Sequence, residues 1–133
     1  MELGSTQTLN LPALDDLDVG AWTMGNTTAE QNQLSGNRNN VDVNDVAVYF
    51  VRSTVPPFNG CAAHPANQPS CCVVQGATQW TAHEVGHVLG LSHVNNNDRL
   101  MTGNGTGNIT NPPPDLASSE VTAMLNSNLT QDW

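Results

Sequence analysis

The segment His83-Glu84-Val85-Gly86-His87-Val88-Leu89-Gly90-Leu91-Ser92-His93 decides how this chain is read. His83 and His87 are four positions apart, so on a helix their imidazoles lie on one face, one turn above the other. Glu84 stands one step round the same helix, within reach of a water at that face without being a ligand itself. Gly90 can adopt the left-handed backbone that stops a helix and turns the chain. That turn returns His93 as a third imidazole. Three neutral imidazoles and a water form a tetrahedral zinc site with one open position, which is the arrangement of catalytic rather than structural zinc.

The chemistry follows from the donor set. Zinc lowers the pKa of a bound water to about 7 and polarises a carbonyl oxygen. Glu84 takes the proton as that water attacks and passes it to the leaving amine, so peptide-bond hydrolysis suits the constellation best. A purely structural reading competes for one residue: Thr81 and Glu84 form Thr-x-x-Glu, the capping box of a helix start. It explains none of the histidines, and three of the chain's four histidines fall in this window. The five specified positions would coincide by chance in on the order of one chain in 10⁵.

Working outward, 133 residues point to one domain, 1–133, divided into a sheet part (1–77) and a part holding the zinc helix, the Met101 segment and a C-terminal helix (78–133). Lysine is absent, and three arginines against twelve acidic residues give a net charge of −9. That balance cannot neutralise phosphates, which excludes nucleic acid as a partner, and it disfavours anionic membranes. No apolar run is long enough to span a bilayer. The first residues carry neither a basic region nor an apolar core, so no signal peptide is expected within the chain.

Hydrophobic patterning places a strand at 6–11, a short helix at 28–34, and a central strand, covered on both faces, at 46–51. Pro56-Pro57 ends that strand, 58–70 reads as a long loop, and 71–74 as a second strand. Thr78 is the expected N-cap of the zinc helix, which runs to about Leu89 with Gly90 just beyond it. Residues 95–114 read as an extended loop. A final helix is expected from about Asp115, with Ala117, Val121, Met124 and Leu125 on one face. The fold class is therefore α/β (α+β): a small mixed sheet, the zinc helix beneath it, and a C-terminal helix.

The zinc segment resembles the metzincin clan of zinc endopeptidases, with the spacing of its matrixin branch. Met101, eight residues after His93 in Arg99-Leu100-Met101-Thr102, matches the clan's Met-turn, a hydrophobic base under the imidazoles rather than a ligand. The stretch 46–125 is also similar to uncharacterised secreted bacterial members of the clan. These carry a similar strand, a Gly-Cys-Ala-x-His-Pro loop and a closing Asn-Pro-Pro-Pro segment. The resemblance implies a secreted, monomeric, zinc-dependent endopeptidase acting on polypeptides. It implies an edge strand at 71–74, including Cys72, Val73 and Val74, along which an extended substrate adds. It also implies a pocket wall in 102–114, including Asn111 and Pro112, unless the prolines there merely stiffen the loop. The chain departs from the clan in three places: no tyrosine follows Met101, Val94 replaces a small polar residue, and only 28–34 is available as the helix backing the sheet, so either the N-terminal part is a minimal version or the chain begins inside a domain.

Other residues carry open readings. His64 either lines the cleft or is hydrogen-bonded locally. The acidic groups Asp15, Asp16, Asp18 and Asp42, Asn44, Asp45 are either solvated turns or calcium ligands, since matrixins bind calcium. Cys61 either pairs with Cys71 or Cys72 or all three remain thiols, and strand alternation lets only one of the adjacent pair face Cys61. Glu120 is the downstream carboxylate that a gluzincin-type third ligand would require, a role that His93 makes unnecessary. The alternative to a peptidase is a non-catalytic or truncated zinc-binding module of a larger secreted protease.

Overall fold

The computed structural model describes residues 3–20, 26–110 and 114–130. Its elements are β1 (Asp16–Asp18), α1 (Ala29–Ser35), β2 (Ala47–Val51), β3 (Ser53–Val55), β4 (Gly60–Cys61), β5 (Ser70–Val74), α2 (Thr81–Val88) and α3 (Ser118–Leu125). Short 3-10 segments lie at Pro12–Leu14, Gln75–Trp80 and Thr106–Asn108, the second kinked at Ala77. The expected mixed α+β class holds. Strands β2 and β5 pair parallel and β4 pairs antiparallel with β5, in the order β2-β5-β4. Strands β1 and β3 form a separate parallel pair. Among the described residues no helix is long and apolar enough to cross a membrane.

Side-chain alternation along the three-stranded sheet separates two clusters. On one face Ala47, Tyr49, Val51, Cys61 and Cys72 pack with Leu14, Leu17, Val19 and Leu34. On the other, Cys71 packs with Val85, Val88 and Leu89 from the region of α2. The first face is tied by polar links as well. Thr28 caps α1 by accepting from the Gln31 N–H, and its own N–H donates to the Gln31 side chain. The same buried Gln31 donates its side-chain N–H to the Cys61 sulfur at 3.3 Å. The Tyr49 hydroxyl donates to the Asn37 carbonyl at 2.9 Å.

Several expectations are corrected. Residues 6–11 form no strand; Leu9 and Leu11 pack against the core without a ladder, and the strand appears after the Pro12–Leu14 turn, at β1. Strand β2 is at the edge of its sheet rather than central. Ala47, Tyr49 and Val51 are buried, while Phe50, on the other face, is 53% exposed. The long loop after Pro57 contains β4, which folds back onto β5. The zinc-helix region starts as a 3-10 turn broken at Ala77, so Thr78 is not its N-cap; α2 itself begins at Thr81. The last helix begins at Ser118 and its apolar stripe is split: Met124 packs inward, while Val121 is 43% and Leu125 69% exposed.

All three cysteines are buried free thiols. Cys72 is the neighbour that opposes Cys61 across the β4–β5 ladder, and Cys71 faces the other way. Burial pushes the Cys72 thiol up to about 12 and raises Cys61 and Cys71 as well.

Candidate metal centre

Helix α2 delivers His83 and His87 on one face, as their spacing requires. It ends in a left-handed Gly90, φ +95°, where the Leu91 N–H donates to the Gly86 carbonyl and the Gly90 N–H to the His87 carbonyl. This is a Schellman turn, and a residue with a Cβ at Gly90 would be strained there. The turn does a second job: it presents the Leu91 carbonyl to His87 Nδ1 at 2.8 Å. His93 then lies in a segment bridged to the Met101 region, with the Val94 N–H donating to the Met101 carbonyl and the Gly103 N–H to the Val94 carbonyl.

The three Nε2 atoms converge. They are 3.2 Å apart for His83 and His87, 3.3 Å for His83 and His93, and 3.0 Å for His87 and His93. Nδ1 of His83 lies 2.6 Å from the Leu100 carbonyl, matching the Leu91 contact of His87. A carbonyl oxygen only accepts, so both Nδ1 atoms carry the ring proton and both Nε2 atoms present lone pairs. The close Nε2 contacts are therefore not hydrogen bonds between those two rings; they bring acceptors together. Four ligands about 2.05 Å from a tetrahedral ion lie about 3.3 Å from one another, which is the spacing found. The donor set fits a metal ion by chemistry as well as dimension, because neutral imidazole is the ligand form. Burial lowers the pKa of His83, with the neighbouring imidazoles adding to it, and the same causes lower His93. Among the described residues this is the only cluster of three such side chains.

Met101 is fully buried, and it lies so close to α2 that a Cβ on Gly86 would sit 2.7 Å from its sulfur. A Cβ on Gly103 would sit 3.1 Å from His93 Cβ, so a second glycine lets the chain lie flat against the third imidazole. Glu84 is buried, 8% exposed, and burial alone pushes its carboxyl up to about 7. A nearby dication would act in the opposite sense, favouring the carboxylate. The capping-box alternative fails here: the Thr81 hydroxyl donates back to the Thr78 carbonyl, and Glu84 takes no part in a cap.

The other sequence candidates separate from this centre. His64 Nδ1 lies 3.1 Å from the Pro65 carbonyl, outside the triad. Glu120 accepts the Ala117 N–H at the start of α3 and is no part of the cluster. Asp16 is bound to Arg52 and Ser53, and Asp45 to the Asp42 N–H, and neither acidic group forms a cluster of three Asp, Glu, His or Cys side chains among the described residues. Cys72, Val73 and Val74 are not on an edge, because β4 pairs with the flank expected to be open. The edge strand there is β4. Asn111 and Pro112 lie outside the described residues. Sequence reasoning missed the Leu91 and Leu100 carbonyls and the glycines at 60, 86 and 103; only Leu100, one position before Met101, had a local signal. No protein-family model, curated protein or solved structure matches the chain.

Proposed function

We propose that the chain is a zinc-dependent endopeptidase of the metzincin type, with His83, His87 and His93 holding the metal and Glu84 as general base and acid. The observation that carries this reading is the convergence of three Nε2 atoms at 3.0–3.3 Å, two of them locked as acceptors by backbone carbonyls. A zinc ion held there supplies Lewis acidity toward water and toward a peptide carbonyl. The remaining work falls to the chain. Glu84, buried and outside the ligand set, accepts a proton as water attacks the carbonyl carbon, and delivers it to the amide nitrogen as the C–N bond breaks. The carbonyl contacts of His83 and His87 hold both rings in the ligand tautomer. An extended polypeptide would add along the outer side of β4, the strand at that edge of the sheet. Release outside the cell is part of the same proposal.

Cleavage of an unfolded protein by zinc-loaded wild type beside Glu84→Ala tests it. The expected result is cleavage by the wild type, abolished by a chelator, and a loss of about 10²–10⁴-fold in Glu84→Ala with the metal retained. If both proteins bind one zinc and neither cleaves, the site is a non-catalytic zinc module and the peptidase reading is wrong.

A further inference from the structure

We propose that Gly60 is a positioning residue for Glu84: by lacking a side chain where β4 passes α2, it leaves the space in which the Glu84 side chain lies and fixes its reach. The inference rests on the reading of Glu84 as the general base. Gly60 pairs with Val73, and its neighbour Cys61 points into the cluster on the far face, so the missing Cβ of Gly60 points toward α2. A Cβ built there would lie 2.8 Å from Glu84 Cγ and 2.9 Å from Cδ, and 2.7 Å from the Cys72 carbonyl. Gly60 does not have the positive φ that makes Gly90 necessary, so backbone conformation does not call for glycine at this position; space does.

The contact matters because of what Glu84 lacks. Glu84 is buried, and among the described residues no other side chain is hydrogen-bonded to its carboxyl. Packing therefore sets where the side chain can lie, and Gly60 is the wall on the strand side. A methyl group in that wall would displace the Glu84 side chain. Displacement of a reacting group by about 1 Å is enough to lower a rate about 10²-fold.

A double-mutant cycle in thermal unfolding tests the contact with no reference to activity. Wild type, Gly60→Ala, Glu84→Ala and the double variant are compared with zinc present. The expected result is a fall in Tm for Gly60→Ala that is at least halved in the Glu84→Ala background, where the clashing atoms are gone. An equal fall in both backgrounds, or loss of folding in both, would mean that the methyl meets the Cys72 carbonyl instead and would overturn the proposal. So would the absence of any fall. In kinetics, Gly60→Ala is expected to lose about 10²-fold in kcat with KM and one zinc per chain unchanged. A raised KM with unchanged kcat, or lost zinc, contradicts it. A wild type that cleaves nothing would refute the peptidase reading, while the unfolding cycle would still decide whether Gly60 positions Glu84.

Discussion

The two faces of the β2-β5-β4 sheet are built by different means. One is a broad apolar cluster from both ends of the N-terminal half, Leu14 and Leu17 to Cys61 and Cys72, laced by Gln31 and Tyr49. The other is a smaller cluster of Cys71, Val85, Val88 and Leu89 that carries α2, and beyond α2 the three imidazoles. The larger apolar cluster lies on the first face, and the candidate metal site lies beyond the second. The second face is assembled by close approach of glycines (Gly60 to Glu84, Gly86 to Met101, Gly103 to His93) rather than by apolar area. Such contacts fix position and contribute little burial, so the two faces are separable by mutation.

The largest expected effect on the site face comes from His87→Ala, which removes one of the three converging donors. Zinc affinity should fall well beyond the roughly 10–100-fold typical of losing an outer partner of a ligand. Competition with a chromophoric chelator measures this, while the metal-free protein should keep its Tm. On the opposite face Leu17→Ala, at a side chain 1% exposed, should cost about 2–5 kcal/mol in denaturant unfolding and leave the zinc affinity of the folded protein unchanged. A coupled loss of affinity would show that the faces are not separable.

Smaller effects sharpen the contrast. Gly103→Ala should weaken zinc binding by about 10–100-fold through His93 while barely changing metal-free stability. Asp16→Asn, on the exposed pair with Arg52, should leave zinc binding untouched. The Arg52 contact holds the Asp16 carboxyl down at about 2, below its usual 3.8. Its stabilisation is thus present above the unfolded-state pKa and is lost as pH falls from about 4 through 2. The small Tm difference between variant and wild type should therefore close over that interval.

Legibility in the sequence divides along the same line. The geometry of α2 and the turn at Gly90 is local, fixed by helical spacing and one left-handed residue, so the triad is visible in eleven residues. The supporting contacts are not local. Nothing near Gly60 announces that a two-residue strand crosses α2, and nothing near Leu91 announces that its carbonyl sets a tautomer; Leu100 is marked only by its place beside Met101. Strand β1 is hidden because Leu17 is flanked by aspartates, poor strand formers, and its pairing with Ser53–Val55 spans a long separation. Residues 6–11 alternate as a strand would, yet Leu9 and Leu11 find their burial without a partner. For β5 the residues, buried along nearly the whole strand, are the available sign of a central strand.

The central claim is that His83, His87 and His93 form one metal centre through Nε2. Zinc titration of the metal-free protein, followed by X-ray absorption at the zinc edge, tests it most directly. The expected result is one tight site per chain with three imidazole nitrogens at about 2.0 Å and no sulfur ligand. Failure to bind zinc, or a sulfur shell at about 2.3 Å from the cysteines, would contradict it.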